Sequence, residues 1–103
     1  MEIIKKLSEM IEEELDDAEK YAKCAVVHKE DHPELAKVFY ELSVSETEHY
    51  RKLHEQVVEL IHEERERSGE PPRTMRAIYD FLHERHIEKA KEVKMLQHQY
   101  SGS

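Results

Sequence analysis

The chain has 103 residues, of which 39% are charged, and its formal net charge is −8. This length allows one domain, and the negative charge argues against a nucleic-acid partner, because phosphate binding depends on an excess of Lys and Arg. No uncharged run approaches the roughly 18 apolar residues of a membrane span, and no signal-peptide pattern is evident, so we expect a cytoplasmic protein with no membrane partner.

Two interruptions divide the sequence into three predicted helices. In KEDHPEL, Asp31 and Glu34 have the spacing of a capping box, and Pro33 is tolerated in a first helical turn but not in a helix interior. In SGEPPRT, Gly69 is expected to end one helix, and two prolines precede the next. The predicted elements are helix 1 at residues 3–30, helix 2 at 33–67, helix 3 at about 73–99 and a disordered tail at 100–103.

The predicted fold class is all-α, with a long antiparallel helical hairpin followed by a third helix in a single domain over residues 1–99. Helix 2 would extend roughly 50 Å at 1.5 Å per residue, whereas a compact domain of this size is about 35 Å across. The chain should therefore be elongated. An elongated three-helix chain buries little core of its own, so we expect it to form oligomers through its apolar stripes.

An apolar stripe runs along each predicted helix at 100° per residue. Glu14 lies near the centre of the helix 1 stripe, and Glu46 and His49 lie inside the helix 2 stripe. The helix 1 stripe contains Ile3, Ile4, Leu7, Met10, Ile11, Ala18, Tyr21, Ala22 and Ala25. The helix 2 stripe contains Leu35, Val38, Phe39, Leu42, Leu53, Val57 and Leu60. The helix 3 stripe contains Met75, Ile78, Tyr79, Leu82, Ala90, Val93 and Leu96.

Ionisable groups on an apolar face indicate a binding site. A carboxylate in such a position is paired, protonated or bound to a metal, because burying it alone costs several kcal/mol. In a hairpin that turns at residues 31 and 32, Glu14 and Glu46 lie at similar heights and should face each other. His49 follows Glu46 by three positions and leaves the helix on the same side. The predicted metal ligands are therefore Glu14, Glu46 and His49.

The segments EELDDAEKYA and SETEHY resemble the ferritin-like superfamily, in particular the di-iron domain of rubrerythrins and the short encapsulated ferritins. In those proteins a Glu of helix 1 precedes a Tyr by seven residues, as Glu14 precedes Tyr21 here. Their second helix carries a Glu-x-x-His motif, which Glu46 and His49 match. The resemblance covers about residues 10–53.

This chain has only half of the ligand set of rubrerythrins and ferritins, which contribute a Glu and a Glu-x-x-His motif from each of two helix pairs. Helix 3 has no Glu-x-x-His, and Asp80-x-x-His83 is its nearest substitute. A homodimer with two-fold symmetry would supply the other half and complete a ferritin-like four-helix bundle. The resemblance implies a di-iron centre that oxidises Fe(II) with O2 or peroxide, with Glu46 as bridging ligand, Glu14 and His49 as terminal ligands, and Tyr21 close by.

Mn or Zn could occupy the same ligands, since carboxylates with imidazole suit all three metals. The chain lacks the paired CxxC motifs of a rubredoxin-like domain, so a peroxide-reducing activity would need an external reductant. The encapsulated ferritins imply a shell compartment as a further partner, although MLQHQYSGS after helix 3 has no clear docking peptide.

Other interpretations of the same residues stay open. The chain could be a metal-free helical interaction module in which Glu and His side chains form a buried network that sets helix register. It could also bind Zn or Mn for structure alone. Among the remaining histidines, His86 lies in the centre of the helix 3 stripe and is expected in the core, whereas His54 and His62 are expected on the surface.

Overall fold

The computed structural model describes residues 2–102, which form three α-helices and no strand. They are α1 (Glu2–Val27), α2 (Pro33–Ser68) and α3 (Arg73–Ser101). The all-α prediction with three helices is confirmed. The bounds differ in two places: α1 ends three residues before the predicted position, and α3 continues through Tyr100 and Ser101, so the described part of the predicted tail is helical up to Gly102. None of the three helices has an apolar stretch long enough to cross a membrane.

The turn between α1 and α2 does not use the predicted capping box. The N-cap residue of α2 is His32, and no side chain caps this helix end. Asp31 is therefore one position too early to cap, and its carboxylate instead lies 3.4 Å from Nδ1 of His28. Backbone hydrogen bonds from His32 N–H to the His28 carbonyl, and from Ala36 N–H to the His32 carbonyl, connect the two helices through the turn.

The helices pack side by side along one long axis. The hairpin of α1 and α2 is antiparallel as predicted, and α3 returns alongside α1. Arg85 pairs with Glu12, and Lys89 pairs with Asp16, so α3 runs parallel to α1. The chain measures 55 × 21 × 18 Å, which confirms the elongated shape expected from the length of α2.

The core of the chain is centred on α1, and it is small. Seven residues of α1 are buried, whereas α2 buries only Ala36 and Ser43, and α3 buries only His86 and Val93. The buried residues of α1 are Ile4, Ser8, Ile11, Leu15, Ala18, Ala22 and Ala25. The small residues among them let α2 and α3 approach α1 closely. The buried face of α1 is therefore narrower than the apolar stripe predicted for helix 1.

Part of the predicted apolar stripe is not buried within one chain. On α2, Leu35, Val38 and Leu42 are 40% to 49% exposed, and on α1 Ile3 and Met10 are also exposed. The oligomer contact expected along these stripes stays a prediction, and within the single chain these residues are not part of the core. The reason is that α3 packs against the other side of α1, which leaves this face of the hairpin without a covering helix.

A buried polar contact joins all three helices, at a point near the C-terminal end of α3. The hydroxyl of Ser43 donates to the carbonyl of Ala18 at 2.7 Å and accepts a hydrogen bond from Nε2 of Gln97 at 2.9 Å. Ser43 is completely buried. Because a buried hydroxyl must be paired to avoid a desolvation penalty, this contact sets the register of α2 against α1 and α3.

Candidate metal centre

Glu14, Glu46 and His49 come together on the exposed face of the hairpin. Nδ1 of His49 lies 3.3 Å from Oε2 of Glu14 and 3.6 Å from Oε1 of Glu46. One ligand atom from each of the three residues lies within 4.8 Å of the others. Among residues 2–102, this is the only such group of three His, Cys, Asp or Glu side chains.

The two helices place these side chains by simple periodicity. Glu46 and His49 are three positions apart on α2 and therefore project from the same side of the helix. Glu14 faces them from the middle of α1. The hydrogen bond from Ser43 to the Ala18 carbonyl lies one turn away from Glu46 and one turn away from Glu14, so it holds the helices in register at the height of the site.

The electrostatics of the group favour a bound cation. A hydrogen bond with Glu14, followed by desolvation and the negative charge of Glu14, raises the pKa of Glu46 from 4.5 to about 7. The nearby His49 opposes this shift, while Asp17 adds to it. Two carboxylates that face each other cannot both ionise without cost, so they share a proton or bind a positive charge.

The site is open to its surroundings on one side. The side chain of Glu46 is 19% exposed, that of Glu14 is 26% exposed and that of His49 is 54% exposed. The opening is on the same face of the hairpin as Leu42, which precedes Glu46 by one turn. Three ligands from one chain would leave several coordination positions of an octahedrally coordinated ion unfilled.

Tyr21 lies two helical turns from Glu14 on α1 and packs against α2. Its ring stacks on Phe39, with the ring centroids 6.3 Å apart. None of the hydrogen bonds among residues 2–102 joins its hydroxyl to Glu14, Glu46 or His49. Within one chain Tyr21 therefore packs between α1 and α2 rather than orienting a ligand.

Of the histidines outside this group, one is buried as predicted and another differs from its predicted position. His86 is buried as predicted, with 3% of its surface exposed. The prediction that His54 is a surface residue is wrong, because it is half-buried and its ring stacks on that of His83, with centroids 5.2 Å apart. A sequence signal for its position existed: His54 follows Ser43 by three helical turns and therefore lies on the face of α2 that small residues bury.

Comparison of the chain with protein-family models, curated proteins and solved structures finds no match. The resemblance to ferritin-like proteins rests on the segments EELDDAEKYA and SETEHY alone.

Proposed function

We propose that this chain is a ferritin-like di-iron carboxylate protein whose metal site is completed by a second copy of the chain. Its function would be to bind iron and to oxidise Fe(II) with O2 or peroxide. The observation that carries this proposal is the convergence of Glu14, Glu46 and His49 on one face of the hairpin.

The donor chemistry of this group fits iron. Two carboxylates and one imidazole are ligands that Fe, Mn and Zn accept, and carboxylates carried on adjacent helices suit an iron pair above the others. The raised pKa of Glu46 supports the same view, because it reports two carboxylates held close together without enough positive charge between them. A bound cation would remove that repulsion.

The exposed apolar residues beside the site support its completion by a second copy. Leu35, Val38 and Leu42 lie on the same side of α2 as Glu46 and His49, and all three are exposed in the single chain. A two-fold axis near these residues would bury them and would bring two Glu14, Glu46 and His49 groups together. The pair would then offer four carboxylates and two imidazoles to two ions.

In this arrangement the ligand residues have different roles. Glu46 would bridge two ions, while Glu14 and His49 would each bind one. Bound iron would supply two electrons that, with two protons, reduce O2 to peroxide or peroxide to two water molecules.

A second candidate function is a metal-free or structural role. His49 contacts both carboxylates directly, and a protonated imidazole could neutralise part of their charge without any metal. In that case the group would be a polar network that sets the register of an interaction module. A structural Zn or Mn site would use the same ligands without redox chemistry.

Iron content and oxygen consumption separate these functions. Protein purified from iron-supplemented cells should contain about one iron per chain and should consume O2 when Fe(II) is added. Glu46→Ala and His49→Ala should lose both properties. The control is Glu48→Ala, because Glu48 is exposed, lies between these two ligands in sequence and pairs with Arg51 instead. A protein without iron whose stability is unchanged by a chelator would support the metal-free network, and Zn or Mn binding without O2 consumption would support a structural site.

A further inference from the structure

A cavity of about 490 Å³ lies between α2, α3 and the first half of α1, away from the Glu14, Glu46 and His49 group. Its walls combine apolar residues such as Ile4, Val57 and Leu82 with several histidines. The cavity exists because α3 packs mainly against α1 and touches α2 at few points. The cavity is therefore a gap between α2 and α3, the two helices with the fewest contacts to each other.

Four histidines border this cavity, two from α2 and two from α3, and one of them, His62, pairs with Glu66 at the surface. His83 and His86 are three positions apart on α3, and thus neighbours on the helix surface, and the ring of His54 stacks on that of His83 with an interplanar angle of 21°. Such a cluster has no role in the site described above.

His86 provides a second, independent indication of a ligand. It is 3% exposed, and its Nε2 atom is buried without a hydrogen-bond partner among residues 2–102. Buried polar atoms in proteins are nearly always paired, so an orphaned ring nitrogen at the wall of a cavity calls for an explanation. A lone pair directed at a cation would provide one.

Burial favours the neutral form of two of these imidazoles, His54 and His86. Desolvation lowers the pKa of His86, nearby Glu12 opposes this shift, and the electrostatic influence of His54, His83 and Arg85 adds to it. Desolvation also lowers the pKa of His54, and the neighbouring His83 adds to that shift. A neutral imidazole at physiological pH has a free lone pair for coordination.

We propose that His54, His83 and His86 form a second metal site, which binds one divalent cation of the Zn2+, Co2+ or Ni2+ class and links α2 to α3. Glu70 and Asp80 also line the cavity, and three imidazole ligands select cations of this borderline-soft class over Mg2+ or Ca2+. Water would fill a fourth position. In the metal-free chain the nitrogen atoms of the cluster do not converge, so binding requires the His54 and His83 rings to turn out of their stack toward Nε2 of His86.

The site differs from the first in its ligands and in its consequence. Its ion would join the helix pair that has the fewest direct contacts, so binding should stabilise the docking of α3. The proposal does not depend on iron binding or on dimer formation, and it can be tested in a chain that lacks the first site.

The test uses the double variant Glu46→Ala/His49→Ala as the starting protein, titrated with Zn2+ and with Co2+. We expect one ion per chain, with a rise in the unfolding temperature and a tetrahedral Co2+ absorption spectrum. Adding His83→Ala should weaken binding by about 100-fold or more, because even the loss of groups that only orient metal ligands costs about 10- to 100-fold. His54→Ala should have the same effect.

The matched control is His98→Ala, since His98 is an exposed histidine on the same helix, far from the cavity. It should leave Zn2+ affinity unchanged. His83 is also exposed, so its replacement should not prevent folding, which circular dichroism would check. The proposal is overturned if the double variant binds no Zn2+ or Co2+, or if His83→Ala and His54→Ala bind these ions as tightly as the starting protein does.

Discussion

His49 and Glu14, which are 35 residues apart in sequence, contact each other across the helical hairpin, with Nδ1 of His49 3.3 Å from Oε2 of Glu14. The contact connects the middle of α1 to the middle of α2. Since Glu46 also lies 3.6 Å from the same imidazole nitrogen, one histidine is shared by two carboxylates. The balance of charge at this point determines how the metal-free chain responds to pH, to cations and to substitution.

The first prediction concerns the stability of the metal-free protein. The pKa of Glu46 is about 7 in the folded chain against 4.5 in the unfolded chain. A raised folded pKa contributes stability that is fully present below pH 4.5 and is lost as pH rises through 7. Glu46→Gln, which stays neutral, should therefore raise the free energy of unfolding at pH 8 by about 1–2 kcal/mol, a value reduced for screening at this shallow site.

Urea denaturation in the presence of a chelator at pH 5 and pH 8 measures this effect. The gain from Glu46→Gln should shrink at pH 5, where Glu46 of the unmodified chain is largely protonated. Glu48→Gln is the control, because Glu48 is exposed and pairs with Arg51. An equal gain at both pH values would show that repulsion with Glu14 is not the cause.

The second prediction concerns the release of protons when the site binds a cation. Because the pKa of Glu46 is raised to about 7, a substantial fraction of this group is protonated at neutral pH. A metal ion binds the ionised form, so binding should release protons and should weaken as the pH falls from 8 to 6. Calorimetric titration with Mn2+ in buffers of different ionisation enthalpy measures the number released. Finding no proton release at pH 7 would contradict the protonation of Glu46.

The third prediction tests the exposed apolar face of α2. Val38→Glu and Leu42→Glu should prevent dimer formation and reduce iron content, because an unpaired carboxylate in a buried interface costs several kcal/mol. The solution mass with and without Fe(II) is the measurement. Val44→Glu is the matched control, since Val44 is also exposed but lies on nearly the opposite side of the helix. If Leu42→Glu still forms dimers that bind iron, this face is not the interface.

The fourth prediction concerns the hydrogen bond that joins the three helices. Ser43→Val should lower the free energy of unfolding by about 2–3 kcal/mol, because it removes the bond to Ala18, leaves Nε2 of Gln97 without its partner and adds volume to a closely packed position. Ser45→Val, at an exposed position two residues along the same helix, should change stability by less than about 0.5 kcal/mol. A similar loss in both variants would attribute the effect to helix propensity rather than to the buried contact.

The destabilised variant also tests whether helix register matters for the metal site. If the Ser43 contact holds α1 and α2 at the right height, Ser43→Val should bind metal more weakly than Ser45→Val under conditions where both are folded. Unchanged affinity would mean that the carboxylates find their positions without this contact.

The amino-acid sequence alone determined the approximate bounds of the three helices. It also determined which residues of one chain share the face of the candidate site. The proline and glycine positions bounded three helices to within a few residues, because these two residue types act on the backbone locally. The periodicity of a helix also sufficed to predict that Glu14, Glu46 and His49 share a face, since the rotation per residue is nearly constant.

Only the tertiary structure decided which apolar face each helix buries. The sequence pattern of α2 favoured the face with Leu35, Val38 and Leu42, yet the chain buries Ala36 and Ser43 against α1. The physical reason is that helices pack at the distance their contact residues allow, and small residues permit the closest approach, a preference that hydrophobic periodicity does not register. The same choice turned His54 inward and created the cavity beside His86, because a side chain's burial depends on which neighbour covers it.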